Sequence, residues 1–214
     1  MIDFAMNNKG LLITLEGCSG VGKTFNANLF QNTSNVIVIS EISQSNNSDF
    51  ISLDIFNIIN KINKTNDIFL LNAEPKTTFA LLLAKYIYDY ETIIKPALDK
   101  GKIVISDRGI DSPALLQAIL MLSDFYSDTE ALKQYQILLR FVQELVFLPN
   151  LTLIIEDNFS NCLERLTYRE KLSLNKEELL FLKRTHNCYS LLEENDRIKK
   201  INHKEVHKYL LNII

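Results

Sequence analysis

Short, almost continuously apolar runs alternate along the chain with longer stretches of helical periodicity. The apolar runs are about five residues long and rich in β-branched side chains, a pattern that favours strands buried on both faces over half-exposed ones. We predict strands at four such runs and a fifth at a more polar one: Leu11–Leu15, Val36–Ser40, Lys102–Ser106, Leu151–Ile155 and Arg197–Ile201.

Helical periodicity fills the segments between these runs. Thr77–Asp99 predicts one long helix, with Gly101 as its stop signal. Alternating buried strands and helices are typical of a doubly wound α/β sheet, in which nucleotides bind at the carboxyl ends of the strands. A second helix is predicted over Asp128–Phe147, with one apolar face: Ala131, Tyr135, Leu138, Val142, Leu145 and Val146.

The turn after the first predicted strand carries the most informative motif. Residues 17–24 read GCSGVGKT and match G-x-x-x-x-G-K-[ST], the Walker A or phosphate-binding loop. Glycines let a phosphate approach backbone N–H groups, Lys23 reaches the β- and γ-phosphates, and the Thr24 hydroxyl ligates Mg²⁺. A helix predicted over Phe25–Gln31 points its N-terminus at the anion. The candidate ATP-binding residues are Gly17, Cys18, Ser19, Gly20, Val21, Gly22, Lys23 and Thr24.

Length and composition predict one globular domain over residues 1–214. A formal net charge of −3 gives no electrostatic case for binding a nucleic-acid polymer. No apolar run approaches the roughly 18 residues that cross a bilayer, and the first residues lack a signal-peptide pattern. Three cysteines without a C-x-x-C pair favour free thiols in a reducing compartment, so we expect a cytoplasmic protein without a membrane partner.

Asp107 and Arg108 follow the third predicted strand, at the sheet edge that carries the phosphate loop. Asp107 is a candidate for ordering Mg²⁺ or helping the acceptor oxygen, and Arg108 for clamping a phosphate. The alternative is a local Asp–Arg ion pair that binds nothing. Gln117, on the next predicted helix, is either a hydrogen-bonding partner of a base edge or a surface glutamine.

Arg165 and Arg169 lie four residues apart after the fourth predicted strand, so on the helix predicted in Asn158–Lys171 they share one face. Phosphoryl transfer needs positive charge over the transferring group, and mobile arginines supply it when an active site closes. The alternative is a pair of solvated helix charges.

Four segments, in this order, resemble the thymidylate kinase family of the nucleoside-monophosphate kinase superfamily. They read LEGCSGVGKT, IIKPALDKGKIVISDRGIDSPALLQ, LPNLTLIIED and FLKRTHNCYSLLEENDRIKKIN. The resemblance implies a three-layer P-loop fold with a five-stranded parallel sheet and a mobile helical lid at about residues 158–175. It also implies that Mg²⁺ and ATP are used to phosphorylate a deoxynucleoside monophosphate, a step of nucleotide biosynthesis.

By position, the resemblance makes Asp107 and Arg108 the pair beside the acceptor phosphate, and Arg165 and Arg169 the lid arginines. Glu41 matches the glutamate of the family's Arg-Glu-Pro-Gly-Gly-like segment.

The acceptor half of the chain departs from the family pattern at three positions. Tyr86, with Lys85 beside it, stands where the family usually offers an arginine to the acceptor. Gly109 replaces the aromatic residue that usually follows Asp-Arg, and Leu116 replaces a tyrosine.

We therefore predict an ATP-dependent kinase for a small-molecule acceptor, with dTMP favoured. Two alternatives stay open: a kinase for a nucleoside or another metabolite, and a P-loop protein that binds ATP without efficient transfer. The apolar face of Asp128–Phe147 suits a homodimer as well as a core.

Three sets of site residues follow from these predictions. The candidate catalytic residues are Lys23, Asp107, Arg108, Arg165 and Arg169. The candidate acceptor-binding residues are Glu41, Tyr86, Arg108 and Gln117, and the candidate metal ligands are Thr24 and Asp107.

Overall fold

Five parallel strands form a single sheet in the computed structural model, which describes residues 10–41, 50–63, 69–122, 127–171 and 173–214. The spatial order is β2-β3-β1-β4-β5. All five predicted strands are confirmed to within one residue at each end. They are β1 (Leu11–Glu16), β2 (Val36–Ile39), β3 (Ile103–Asp107), β4 (Leu151–Glu156) and β5 (Ile198–Asn202).

The strand order places the carboxyl ends of β1 and β3 side by side. The two strands pair in parallel with Leu15 opposite Asp107. β1 is buried along its whole length, as its nearly continuous apolar sequence predicts for a central strand. The loops that follow these strands are therefore neighbours, although about ninety residues of chain separate them.

Nine α-helices lie within the described residues, and none of these is long and apolar enough to cross a membrane. The helix α2 was not predicted from the sequence, and α1 begins two residues before the predicted start. The helices are α1 (Lys23–Asn28), α2 (Phe50–Asn63), α3 (Pro75–Asp89), α4 (Lys95–Leu98), α5 (Asp111–Met121), α6 (Asp128–Gln143), α7 (Phe159–Glu170), α8 (Lys176–Leu191) and α9 (Val206–Leu211).

The long helix predicted over Thr77–Asp99 is confirmed as one continuous helical stretch with a local defect. A π-helical turn, Tyr90–Ile94, joins α3 to α4 without a break. Pro96 has no N–H to donate to the preceding turn, and the helix widens directly before it.

The prediction for Asp128–Phe147 is wrong at its C-terminal end. α6 ends at Gln143, and the following turn closes with the N–H groups of Leu145 and Val146 donating to the carbonyl of Val142. Leu145 belongs to the predicted apolar helix face but is 52% exposed, because the chain has left the helix there.

Apolar cores cover both faces of the sheet, which confirms a three-layer α/β fold. One core packs residues of α3, α5, α6 and α8 together with β4 and β5. The other packs α1 and α9 against β1, β3, β4 and β5. The loops at the carboxyl edge of the sheet lie between these two layers of helices.

A buried ion pair fixes the start of α5, the helix that follows the Asp107–Arg108 turn. The guanidinium of Arg197 donates to both carboxylate oxygens of Asp111, at 2.7 and 2.8 Å. Tyr135 and Thr152 also donate to Asp111, at 2.5 and 3.1 Å. Burial alone would raise the pKa of Asp111, but the hydrogen bonds and charge of Arg197 outweigh it and leave the pKa below its ordinary value.

We expect Arg197→Met to lower the free energy of unfolding by about 3–5 kcal/mol, because it leaves the Asp111 carboxylate buried without its cation. Urea denaturation at neutral pH measures this change. The control is Lys95→Met, which removes a cation from the exposed Lys95–Asp99 pair. We expect a much smaller loss there, because solvent screens the exposed pair. Equal losses in the two variants would show that the Arg197 pair does not hold the fold.

Candidate active site

The phosphate loop turns sharply between β1 and α1. Gly17, Gly20 and Gly22 have φ values of +135°, +83° and +102°, in the region that side chains rarely adopt. A Cβ on Gly20 would lie 2.0 Å from the carbonyl oxygen of Cys162 on α7. The loop therefore packs backbone to backbone against the helix that carries the predicted lid arginines.

Lys23 is buried in this loop with its ammonium turned back onto the backbone. Its Nζ donates to the carbonyl oxygens of Gly17 and Cys18, at 2.9 and 3.0 Å. Burial, and then the charge of Arg108, lowers the pKa of Lys23 to about 8. The group therefore remains mostly cationic at neutral pH.

One hydrogen bond joins the phosphate loop to the end of β3. The Thr24 hydroxyl donates to Oδ2 of Asp107 at 2.5 Å. The other carboxylate oxygen, Oδ1, is buried and has no hydrogen-bond partner among the described residues. Burial raises the pKa of Asp107. A hydroxyl beside an incompletely satisfied carboxylate is a donor set that suits Mg²⁺, which prefers a few protein oxygens together with waters and phosphate oxygens.

Arg108 has a left-handed backbone, with φ of +72°. Its Nε donates to Oε1 of Glu41 at 2.7 Å, and its Nη1 and Nη2 donate to Ser112 Oγ and Ser19 Oγ at 2.9 and 3.5 Å. The ion-pair partner of Arg108 is therefore Glu41, and the alternative of a local pair with Asp107 is wrong. Such strain at a non-glycine residue persists only where the surroundings fix it, and it is concentrated at functional sites.

Glu41 is strongly coupled to the cations of the site. Burial alone would raise its pKa, but the charges of Arg108 and Lys23 outweigh this effect and lower the pKa below its ordinary value. Glu41 therefore remains ionised and holds the guanidinium in one orientation.

The central strand β1 fills the space that a side chain at Gly109 would need. A Cβ at this position would lie 2.5 Å from Cγ2 of Thr14. A side chain here would have to displace a buried residue of the central strand.

A cavity of about 560 Å³ extends along the acceptor side of the predicted site and reaches the phosphate loop at Ser19. Ser19 of the phosphate loop, Glu41, Asp107 and Arg108 lie on it, and so does Gln117 of α5. Gln117 is only 3% exposed, and its Oε1 is buried without a partner among the residues that the structure describes. The alternative of a surface glutamine is therefore wrong.

Tyr86 also lines the cavity, but its hydroxyl is engaged elsewhere. It donates to the carbonyl oxygen of Phe147 at 3.2 Å, and burial raises the pKa of the phenol. The neighbouring Lys85 forms an ion pair with Asp89 on the same cavity wall. Sequence reasoning missed this pair, although its i, i+4 spacing is visible in the sequence.

The two predicted lid arginines extend in different directions from α7. Arg169 lines the cavity and donates through Nε to Glu170 at 2.6 Å. Arg165 lies outside the cavity, where its guanidinium donates to Asp157 at the end of β4. The predicted helix is confirmed, but only Arg169 reaches the cavity in this arrangement.

Sequence comparisons relate the chain to one family along nearly its whole length. The thymidylate kinase family model matches residues 15–210. The thymidylate kinase of Clostridium novyi is 29% identical over 204 residues, covering 91% of each chain. That of Mycoplasma capricolum is 32% identical over 207 residues, covering 90% of this chain and 86% of the relative.

Solved structures show the same fold. The thymidylate kinase of Candida albicans superposes with a TM-score of 0.63 at 20% identity, covering 96% of this chain and 91% of its own. That of Ehrlichia chaffeensis gives 0.57 at 19% identity, covering 96% and 98%.

We expect Gly109→Ala to lower the free energy of unfolding by about 1–3 kcal/mol, because its methyl group would overlap Thr14. Thermal or urea unfolding of the variant measures the loss. The matched control is the double variant Gly109→Ala/Thr14→Ser, which removes Cγ2 and keeps the hydroxyl. The double variant should recover part of the stability, whereas strictly additive effects would mean that the two residues do not interact.

Proposed function

We propose that this chain, which belongs to the thymidylate kinase family, transfers the γ-phosphate of ATP to dTMP as a nucleoside monophosphate kinase. The observation that carries the proposal is the 2.5 Å hydrogen bond between Thr24 and Asp107. It brings the phosphate loop against the Asp-Arg turn, and this turn lines the cavity that Gln117 and Lys85 also line. The Asp-Arg turn thus borders both the proposed ATP site and the cavity proposed for the acceptor.

The phosphate loop is the proposed ATP site, with residues 17–24 as its cradle. Lys23 stabilises charge on the β- and γ-phosphates, exchanging its carbonyl partners for phosphate oxygens. Thr24 and Asp107 are the residues that would hold Mg²⁺, and the orphaned Oδ1 of Asp107 fits this role. When bound, Mg²⁺ neutralises the phosphate charge that develops during transfer.

Arg108 is the proposed ligand of the acceptor phosphate. Glu41, Ser112 and the left-handed backbone fix its guanidinium before any substrate arrives. Such preorganisation reduces the reorganisation needed at the moment of transfer. A fixed cation beside the phosphate loop also favours a monophosphate acceptor over a nucleoside, which has no phosphate to bind there.

The lid, at about residues 158–175, supplies the remaining positive charge in this proposal. Arg169 lies at the cavity and needs only to exchange Glu170 for a phosphate. Arg165 joins it by leaving Asp157. Its side chain is 40% exposed, and exchange of a partly exposed ion pair costs little free energy.

Lys85 and Gln117 are the proposed readers of the acceptor base. An ammonium can only donate hydrogen bonds, whereas an amide can turn and offer either its oxygen or its nitrogen. Thymine presents a ring carbonyl beside a ring N–H, so it suits a lysine donor and the Gln117 oxygen. Cytosine presents an amino group in place of that carbonyl, so the amino group and the lysine ammonium, both hydrogen-bond donors, would face each other. Lys85 is therefore the discriminating residue, and Asp89 holds it in place.

Turnover with Mg·ATP across dTMP, dUMP, dCMP and thymidine tests the proposed function. We expect the highest kcat/KM with dTMP. Lys23→Ala should lower kcat by about 100-fold or more, because it removes a charge that acts on the transferring phosphoryl group. Lys95→Ala, at an exposed ion pair, is the control and should leave turnover unchanged. Turnover on thymidine alone would select the nucleoside kinase, and ATP binding without transfer would select the ATP-binding module.

The base-reading role of Lys85 predicts a loss of acceptor selectivity. Removing both charges together, as Lys85→Met/Asp89→Leu, avoids leaving one buried charge unpaired. We expect KM for dTMP to rise about tenfold or more with ATP kinetics unchanged, and the preference for dTMP over dCMP to shrink. The matched control is Lys95→Met/Asp99→Leu, an exposed Lys–Asp pair with the same spacing. Unchanged selectivity in a folded variant would contradict the assignment.

A further inference from the structure

Glu16 is a buried carboxyl that none of the proposed chemistry uses. It is the last residue of β1, directly before the phosphate loop, and its exposed fraction is 0%. A carboxyl is rarely buried completely unless a specific set of donors compensates for the lost hydration.

The donors to Glu16 come from the two segments that build the acceptor side of the cavity. Oε1 accepts a hydrogen bond from the backbone N–H of Gly109 at 2.7 Å. Oε2 accepts from the Ser112 hydroxyl, and from the Tyr189 hydroxyl of α8 at 3.2 Å. Glu16 thus joins β1 to the turn after β3, to the start of α5 and to α8.

A hydrogen-bond relay connects Glu16 to Arg108. The guanidinium donates to Ser112 Oγ at 2.9 Å, and the Ser112 hydroxyl donates onward to Glu16. Ser112 has one hydroxyl hydrogen. While this hydrogen points at Glu16, the lone pairs of Ser112 face Arg108. At the same time Glu16 fixes the peptide N–H of Gly109, next to the strained residue.

We propose that Glu16 is a positioning residue, which sets the guanidinium of Arg108 for the acceptor phosphate through Gly109 and Ser112. The inference rests on the proposed function, because that function assigns the acceptor phosphate to Arg108. Glu16 itself touches no substrate. Its effect is to keep Arg108 in a costly left-handed conformation that the local sequence alone does not favour.

The ionised form of Glu16 is the form that fits this role. Oε2 already accepts from the hydroxyls of Ser112 and Tyr189, whose oxygens lie 2.9 Å from each other. A proton on Oε2 would have to be donated to one of these oxygens, which turns the hydrogen of that hydroxyl away from Glu16. The relay from Arg108 then loses its terminal acceptor. Arg108 is therefore held best when Glu16 is a carboxylate.

This requirement makes the acceptor site sensitive to pH near neutrality. Burial, and then the nearby charge of Asp111, raises the pKa of Glu16 to about 7, while the Ser112 and Gly109 hydrogen bonds and the charge of Arg108 oppose the rise. Tyr189 of α8 faces the same carboxyl, and its own pKa is raised far above neutrality. It therefore does not titrate in this range.

The raised pKa of Glu16 also distinguishes a positioning role from a purely structural one. The pKa of Glu16 is higher in the folded protein than the ordinary 4.5. Its contribution to stability is therefore full below about pH 4.5 and is lost as the pH rises through about 7. At pH 8 the folded protein is therefore less stable than it would be with Glu16 protonated. The neutral isostere Glu16→Gln should then be at least as stable as the wild type while binding the acceptor worse.

The experiment compares the kinetics of wild type and Glu16→Gln with dTMP and Mg·ATP, from about pH 5.5 to 8.5. We expect the variant to raise KM for dTMP about tenfold at pH 8, with KM for ATP within about twofold. The ratio of wild-type to variant kcat/KM should rise through about pH 7. Taking the ratio cancels the ionisation of the dTMP phosphate, which is common to both proteins.

Two further variants make the result decisive. Glu156→Gln, at the more exposed last residue of the neighbouring strand β4, is the matched control and should change neither KM. Ser112→Ala breaks the relay but leaves the Gly109 contact. It should raise KM for dTMP even if Glu16→Gln fails to fold, and an unchanged KM in Ser112→Ala would overturn the proposal.

Other outcomes separate the failure of the inference from the failure of the proposed function. Normal wild-type turnover on dTMP, with a ratio that stays flat across the pH range in a folded variant, would overturn the positioning role alone. No wild-type turnover on any nucleoside monophosphate would overturn the proposed function and the inference with it.

Discussion

The parallel pairing of β1 with β3 is the constraint on which the rest of the site depends. The register sets Leu15 opposite Asp107, so the phosphate loop and the Asp-Arg turn leave the sheet at the same point. The hydrogen bond from Thr24 to Asp107 then closes the gap between the two loops. A slip of one residue would move every side chain of a strand to the opposite face of the sheet, where a different core packs. Packing therefore fixes the register. The geometry of the site thus follows from the hydrophobic core.

A layer of buried polar side chains lies directly beneath this edge of the sheet and converts the fold into a site. The Asp111–Arg197 pair anchors the start of α5, and Glu16 anchors the turn that precedes it. Both use carboxylates whose desolvation is costly and is offset by several donors each. An apolar layer would stabilise the fold as well, but it would not hold Arg108 in a left-handed conformation. The polar layer is better explained by the orientation of Arg108 than by stability.

Local patterns predicted the strands, because burial on both faces leaves a nearly continuous apolar run. They also predicted the phosphate loop, because contact with phosphate requires glycines at a fixed spacing. Other features depend on which segments meet in space. The burial of Gln117, the role of Glu16 and the space that Thr14 takes above Gly109 all arise from contacts between distant segments. Leu145 fits the helical period but falls beyond the end of the helix, which periodicity alone does not reveal.

A crystal structure with ADP, Mg²⁺ and dTMP tests the central claim most directly, since that claim is the meeting of donor and acceptor sites at one sheet edge. The account predicts ADP phosphates in the loop of residues 17–24, Mg²⁺ beside Thr24 and Asp107, and the dTMP phosphate on Arg108 with its base facing Lys85 and Gln117. A dTMP molecule bound outside this cavity, or with its phosphate away from Arg108, would contradict it.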